Sequence, residues 1–118
     1  MTLYERFVAE RVKSPQEIIE TMTPAKVDLL HAAIGISGEA GELLDAVKKH
    51  VIYNKDLDVD NVIEELGDLE FYIEALRQRI GVDRSVVLAS NVSKLLKRYP
   101  TGYTDQAAKD RADKQAGE

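Results

Sequence analysis

Apolar side chains recur at steps of three and four through most of this chain, the spacing of one face of an α-helix. From Leu29 the series runs through Ala33, Ile36, Ala40, Leu43, Val47 and Val51. Thr23-Pro24 ahead of it supplies a capping hydroxyl and then proline at the first helical position, so a long helix is predicted from about 24 to 53. A polar turn at 54–58 leads into a second series, Val62, Leu66, Leu69, Ile73, Leu76 and Ile80, which Gly81 ends; it predicts a helix over 59–80. Asp83 can cap a third helix reaching about Tyr99, with Leu88, Val92 and Leu95 turned inward and Pro100 closing it. Upstream, a short helix is expected over about 2–12, interrupted at Ser14-Pro15. The polar run TGYTDQAAKDRADKQAGE predicts a short helix at most, then a disordered end. The chain therefore reads as all-α, a helical bundle of three long helices plus short terminal ones, with a domain over 1–104 and a polar tail over 105–118.

Composition narrows the class. With 118 residues and 44% hydrophobic content there is room for one domain with a modest core. A bundle of this size is expected to complete its core by pairing subunits, as a homodimer or homotetramer, because Leu30, Ile34 and Leu44 lie outside the main stripe. The net charge of -5 argues against a surface built for nucleic acid. The lack of cysteine removes disulfides and thiolate metal sites. No apolar run approaches a membrane span, and MTLYERFVAERVK lacks a signal-peptide core, so a cytoplasmic protein is expected.

The acids carry the chemistry. Setting Glu39 at 0° on a helical wheel puts Glu42 at about 300°, while Ile36, Ala40, Leu43 and Val47 fall at about 40–100°. Repeating this from Glu65 puts Asp68 at about 300°, with Val62, Leu66, Leu69, Ile73 and Leu76 at about 20–100°. Both acidic pairs flank the apolar stripe on the same side. Packed antiparallel, the two helices would gather four carboxylates at the edge of the core, and four such groups cannot all stay ionised without a counter-charge. A divalent metal is the natural one, and an all-oxygen ligand set suits Mg²⁺ or Mn²⁺.

The third long helix repeats the phase with opposite sign, since Lys94 and Arg98 stand near Asn91 on the flank of Leu88, Val92 and Leu95. A basic flank beside a metal-holding acidic one suits a polyphosphate. Gly41 and Gly67 also share a phase, away from the acids, and are expected where helices approach closely, within a subunit or between subunits. DLDVDN at 56–61 fails as a calcium loop, with Asn61 at the sixth position and Gly67 at the twelfth. Asp28-x-x-His31 is the only approach to a Glu-x-x-His pair, so His31 is expected to be structural or to support a ligand from behind.

These motifs carry a resemblance. Glu39-x-x-Glu42 followed after a 22-residue gap by Glu65-x-x-Asp68 resembles the metal signature of the MazG-like all-α nucleoside triphosphate pyrophosphohydrolases. LLHAAIGISGEAGELLDAVKK is similar to the family's first motif helix, EELGDLEFYIEAL to its second, and NVSKLLKRYPTGYT to the segment that contacts phosphate. Gly38 departs from the pattern, since many members carry a further glutamate there. The resemblance implies an enzyme that hydrolyses a (d)NTP between the α and β phosphates, giving a monophosphate and pyrophosphate, in control of nucleotide pools. It implies that Glu39, Glu42, Glu65 and Asp68 hold Mg²⁺ and perform catalysis, with Glu64 a possible substitute base. Lys94 and Arg98 would take the outer phosphates, Asn91 and Tyr72 would orient sugar or phosphate, and Lys49 would contribute from the acid flank. The competing expectation is a non-enzymatic helical oligomerisation or regulatory module whose acids keep it soluble.

Overall fold

The computed structural model describes residues 1–115, and every regular element among them is helical. Helix α1 (Leu3–Ala9) opens on a reciprocal cap, in which the Thr2 hydroxyl accepts from the Glu5 N–H and the Glu5 carboxylate accepts from the Thr2 N–H. Helix α2 (Pro15–Thr21) lies where the sequence suggested only an interruption. Ser14 caps it, accepting from the Glu17 N–H at 3.1 Å, and Pro15 takes the first position. A proline that cannot sit inside a helix is well placed to start one.

Helices α3 (Pro24–Val51) and α4 (Val59–Ile80) form the centre of the chain. Thr23 caps α3 as its sequence predicted, and Asp58 caps α4 by accepting from the Asn61 N–H at 3.0 Å. Between them Asn54 adopts a left-handed φ of 52°, and His50 Nδ1 meets the Lys55 carbonyl oxygen at 2.7 Å, which closes the turn. Gly81 ends α4 with a φ of 69°, a conformation that side chains with a Cβ rarely adopt. Helix α5 (Arg84–Arg98) follows at once; Asp83 occupies its cap position but makes no side-chain cap bond. The short helix expected in the tail is α6 (Asp105–Asp110), followed by a 3₁₀ turn at Ala112–Lys114. The disordered end expected after it includes residues 116–118, which lie outside the described residues.

The antiparallel packing of α3 on α4 is the one extensive helix–helix contact among the described residues. Its seam is lined by small side chains. Ala32 and Ala46 are 4% and 6% exposed, and a Cβ at Gly35 would overlap the Tyr72 ring. Gly35 is therefore the glycine that permits close approach. Gly41 and Gly67 do not play that part within the chain, since a Cβ at either would meet nothing within 4 Å. The seam is also rotated from the expected stripe toward the acids. Leu29, Ile36 and Leu43 are half-buried, but Val47, Val51, Leu66 and Ile80 remain exposed. The reason is steric: two helices touch along their smallest side chains, and Ala32, Gly35 and Ala46 lie nearer the Glu39 phase than the centre of the apolar stripe does.

Helix α5 departs from the expected bundle. It packs on α6 and the 3₁₀ turn and makes no comparable contact with the hairpin, so Leu88, Val92 and Leu95 are exposed instead of turned inward. The radius of gyration is 20.0 Å, where a compact chain of this length would have about 13–14 Å. An apolar face can turn inward only where another element covers it, and among the described residues none does.

Candidate active site

The helix pairing fixes what can meet. Asp28 on α3 pairs with Arg79 on α4 at 3.1 Å, and Gly35 lies beneath Tyr72. Both pairs follow one antiparallel register, and continuing it sets Glu39 level with Asp68 and Glu42 level with Glu65. One carboxylate oxygen each from Glu39, Glu65 and Asp68 lie within 4.8 Å of one another. Glu39 and Glu65 are half-buried and Asp68 is exposed. The carboxyl of Glu65 is raised above its ordinary value, first by burial, then by its hydrogen bond to Glu39, then by repulsion from Glu39, Glu42 and Asp68. Three of the four carboxylates singled out from sequence thus converge. Glu42 is exposed and stands outside the trio, close enough for Glu65 to feel its charge.

The trio fits a hard divalent cation. All its donors are carboxylate oxygens, they are close enough to share one ion, and their repulsion already favours proton uptake at Glu65. A 2+ ion would relieve that repulsion without a proton.

The other proposed contacts are more dispersed. Lys49 pairs with Asp45 at 3.0 Å; this hydrogen bond and the Asp45 charge raise its pKa, with a smaller contribution from Glu42. Lys94 lines a polar cleft with Ser90, Ser93, Lys97, Asp113 and Lys114. The Arg98 guanidinium donates twice to the Asp113 carboxylate, at 2.9 and 3.2 Å, which holds Asp113 below the usual carboxylate range. Asn91 is exposed on α5. Because α5 makes no extensive contact with the hairpin among the described residues, the basic flank is not brought against the acidic one there.

Tyr72 does lie beside the trio, one turn beyond Asp68. Its ring stands edge-on to His31 (centroids 6.1 Å apart, planes at 64°) and to Phe71 (5.2 Å, 88°). Together with Asp28, Ala32, Ala75 and Arg79 these rings line a groove of about 200 Å³. The sequence reading passed over Gly35 and Arg79. Their signal was available, because both lie on the helical phase of the acids, as do Asp28, His31 and Tyr72.

The structure is an all-α chain with a carboxylate trio at the seam of its central hairpin, and comparison with known proteins gives the family. Residues 29–103 match the MazG nucleotide pyrophosphohydrolase domain, so the chain belongs to the MazG family. It is also 32% identical over 88 residues to the "Gene 37 protein" of Mycobacterium phage L5, covering 70% of this chain and 76% of that one. No solved structure matches. No helix among the described residues is long and apolar enough to cross a membrane.

Proposed function

We propose that this chain is a Mg²⁺-dependent, cytoplasmic pyrophosphohydrolase that cleaves a (d)NTP between its α and β phosphates and so acts on nucleotide pools. The observation that carries the reading is the Glu39–Glu65–Asp68 trio within 4.8 Å at the seam of the α3–α4 hairpin, inside the residues 29–103 that match the family. Glu39, Glu65 and Asp68 would hold the ion, Mg²⁺ or Mn²⁺ in its place, with Glu42 able to join the ligand set. Such an ion, when bound, neutralises phosphate oxygens and makes water easier to deprotonate. Glu42, outside the trio, would take the proton of the attacking water, with Glu64 a possible substitute. The water oxygen bonds to the α-phosphorus, the bridging α–β bond breaks, and pyrophosphate leaves. Tyr72 would orient the sugar. Lys49 would serve the acid flank once freed from Asp45.

Lys94, Arg98 and Asn91 would act on the outer phosphates from α5, which requires α5 to lie against a hairpin. A homodimer or homotetramer supplies that. The exposed apolar faces of α3, α4 and α5 and the extended single chain support such an assembly. Sedimentation would then show a multiple of 13.2 kDa, and a monomer at micromolar concentration would refute it. The function itself is tested by products. Monophosphate and pyrophosphate should appear in equal amounts, only with Mg²⁺ or Mn²⁺; diphosphate and orthophosphate would sink it.

A further inference from the structure

We infer that Asp113, in the tail, is a positioning residue of the active site, whose carboxylate aims the Arg98 guanidinium at the leaving phosphates of the substrate. The inference deepens the proposed function and rests on its reading of Arg98. The path of the chain after α5 brings the two residues together. Pro100 stops the helix, Gly102 turns the backbone at a φ of 114°, and the Thr104 hydroxyl caps α6 by accepting from the Ala107 N–H at 3.0 Å. Arg111 then takes a left-handed φ of 46°, which ends α6 and carries the 3₁₀ turn Ala112–Lys114 onto α5. Asp113 thereby meets Arg98, 15 residues earlier in the chain.

This pair is buried as the others are not. The Arg98 and Asp113 side chains are 18% and 5% exposed, and no other ion pair among the described residues has both partners mostly buried. Taking two charges out of water costs about as much as their attraction returns, so the pair is a poor means of holding a tail that apolar contacts could hold without that cost. What it does provide is direction. A lysine ammonium can turn to meet an anion, whereas a planar guanidinium has to be aimed.

The bonding geometry sets the aim. Arg98 donates its Nε–H and an Nη2–H to the two oxygens of Asp113, at 2.9 and 3.2 Å, so the carboxylate grips one edge of the guanidinium. The outer N–H groups, one on each Nη, then form a second fork that suits two oxygens of a phosphate. The Tyr99 hydroxyl stands near the same guanidinium as an uncharged neighbour, which a phosphate outcompetes through its charge. Asp113 also lines the cleft that holds Lys94, Lys97 and Lys114, so its own charge is outweighed there. The β- and γ-phosphates would thus meet an aimed donor in Arg98 and a mobile one in Lys94, a turn earlier on α5. Charge alone argues the opposite sign, since a carboxylate that merely offset Arg98 would weaken phosphate binding and its removal would help.

The test is kcat and KM, from pyrophosphate release with whichever (d)NTP the wild type uses best, for Asp113→Asn, Asp113→Glu, Arg98→Ala and the double variant Arg98→Ala/Asp113→Asn. Asp113→Asn keeps the shape but loses the charge and one acceptor oxygen. Its kcat/KM should fall about tenfold, with part of the loss in kcat, and Asp113→Glu should recover much of it. In the Arg98→Ala background the same substitution should change kcat/KM by less than about twofold, because nothing is left to aim. Thr104→Ala removes the cap of α6 and should quicken hydrogen exchange over Asp105–Asp110 as Asp113→Asn does, yet leave kcat within about twofold. An Asp113→Asn enzyme as fast as the wild type, or faster, overturns the inference. So does an equal loss in the Arg98→Ala background, or a loss of kcat in Thr104→Ala as large as that in Asp113→Asn. Failure of the underlying reading looks different. If Arg98→Ala keeps kcat/KM within about threefold, or if the wild type turns over no (d)NTP with Mg²⁺ or Mn²⁺, Arg98 has no phosphate role and the inference falls with it.

Discussion

Alanine at Gly35 sets two physical effects against each other, and the structure decides between them. In a helix interior, alanine is favoured over glycine by about 1 kcal/mol, because glycine loses more backbone freedom on folding. At Gly41 and Gly67 nothing lies within 4 Å of a new Cβ, so that gain should appear in full within a single chain. At Gly35 the same Cβ would overlap the Tyr72 ring, which is flanked by His31 and Phe71 and cannot swing aside freely. Forcing the ring or the helices apart costs about 1–3 kcal/mol as overpacking, which cancels the gain or outweighs it by up to about 2 kcal/mol. The difference between Gly35→Ala and Gly41→Ala should therefore be about 1–3 kcal/mol. Thermal unfolding followed by circular dichroism resolves it, since 1 kcal/mol moves Tm by about 4 °C in a chain of this size. A Gly35→Ala protein as stable as Gly41→Ala would refute the register of the hairpin and everything built on it. Lower stability in Gly41→Ala or Gly67→Ala, with a smaller assembly in sedimentation, would place that glycine at a contact between subunits.

Asp68→Asn and Glu42→Gln should each abolish turnover while leaving the fold intact, and Asp68→Asn should also lose any thermal stabilisation by Mg²⁺; near-normal rates at saturating Mg²⁺ would sink the metal assignment in the first and the base assignment in the second. Lys94→Ala and Arg98→Ala should lower kcat/KM about 30- to 1,000-fold and at least one should lower kcat, because charge grows on the leaving pyrophosphate, whereas metal affinity without nucleotide should not fall. Retention of kcat/KM within threefold in both would show that the basic flank takes no part in binding the phosphates. Because Arg98 holds Asp113 below its ordinary value, that pair stabilises the docked tail above the usual carboxylate range near pH 4, and the contribution is lost as pH falls through the depressed value. Hydrogen exchange in Asp105–Asp110 should therefore quicken in strong acid, and Asp113→Asn should quicken it at neutral pH; slow exchange in that variant would show the tail held by other contacts.

Much of the architecture is local and was readable for that reason. Thr23-Pro24 and Gly81 are start and stop signals whose physics lies within a few residues, and they mark the start of α3 and the end of α4 closely. The shared phase of the acids follows from helical geometry alone, so the convergence of Glu39, Glu65 and Asp68 could be anticipated. What depended on register could not. The phase of Glu42 equals that of Asp68 and its level is that of Glu65, yet Glu42 stands outside the trio, because phase and level place a Cα and not the end of its side chain. Phase alone singles out Gly41 and Gly67, whereas the part of Gly35 appears only once Tyr72 is opposite it. Helix α5 has an apolar face that implies a partner, but the face does not say whether that partner lies in the same chain. Ser14-Pro15 was misjudged for a simpler reason, since proline ends one helix and begins another with equal ease.

The central claim is that this hairpin directs water to the α-phosphorus of a nucleoside triphosphate. Turnover in ¹⁸O-labelled water, with products resolved by mass spectrometry, tests it most directly. The account predicts one labelled oxygen in the nucleoside monophosphate and none in the pyrophosphate. Label in the pyrophosphate, or in orthophosphate released beside a diphosphate, would contradict it.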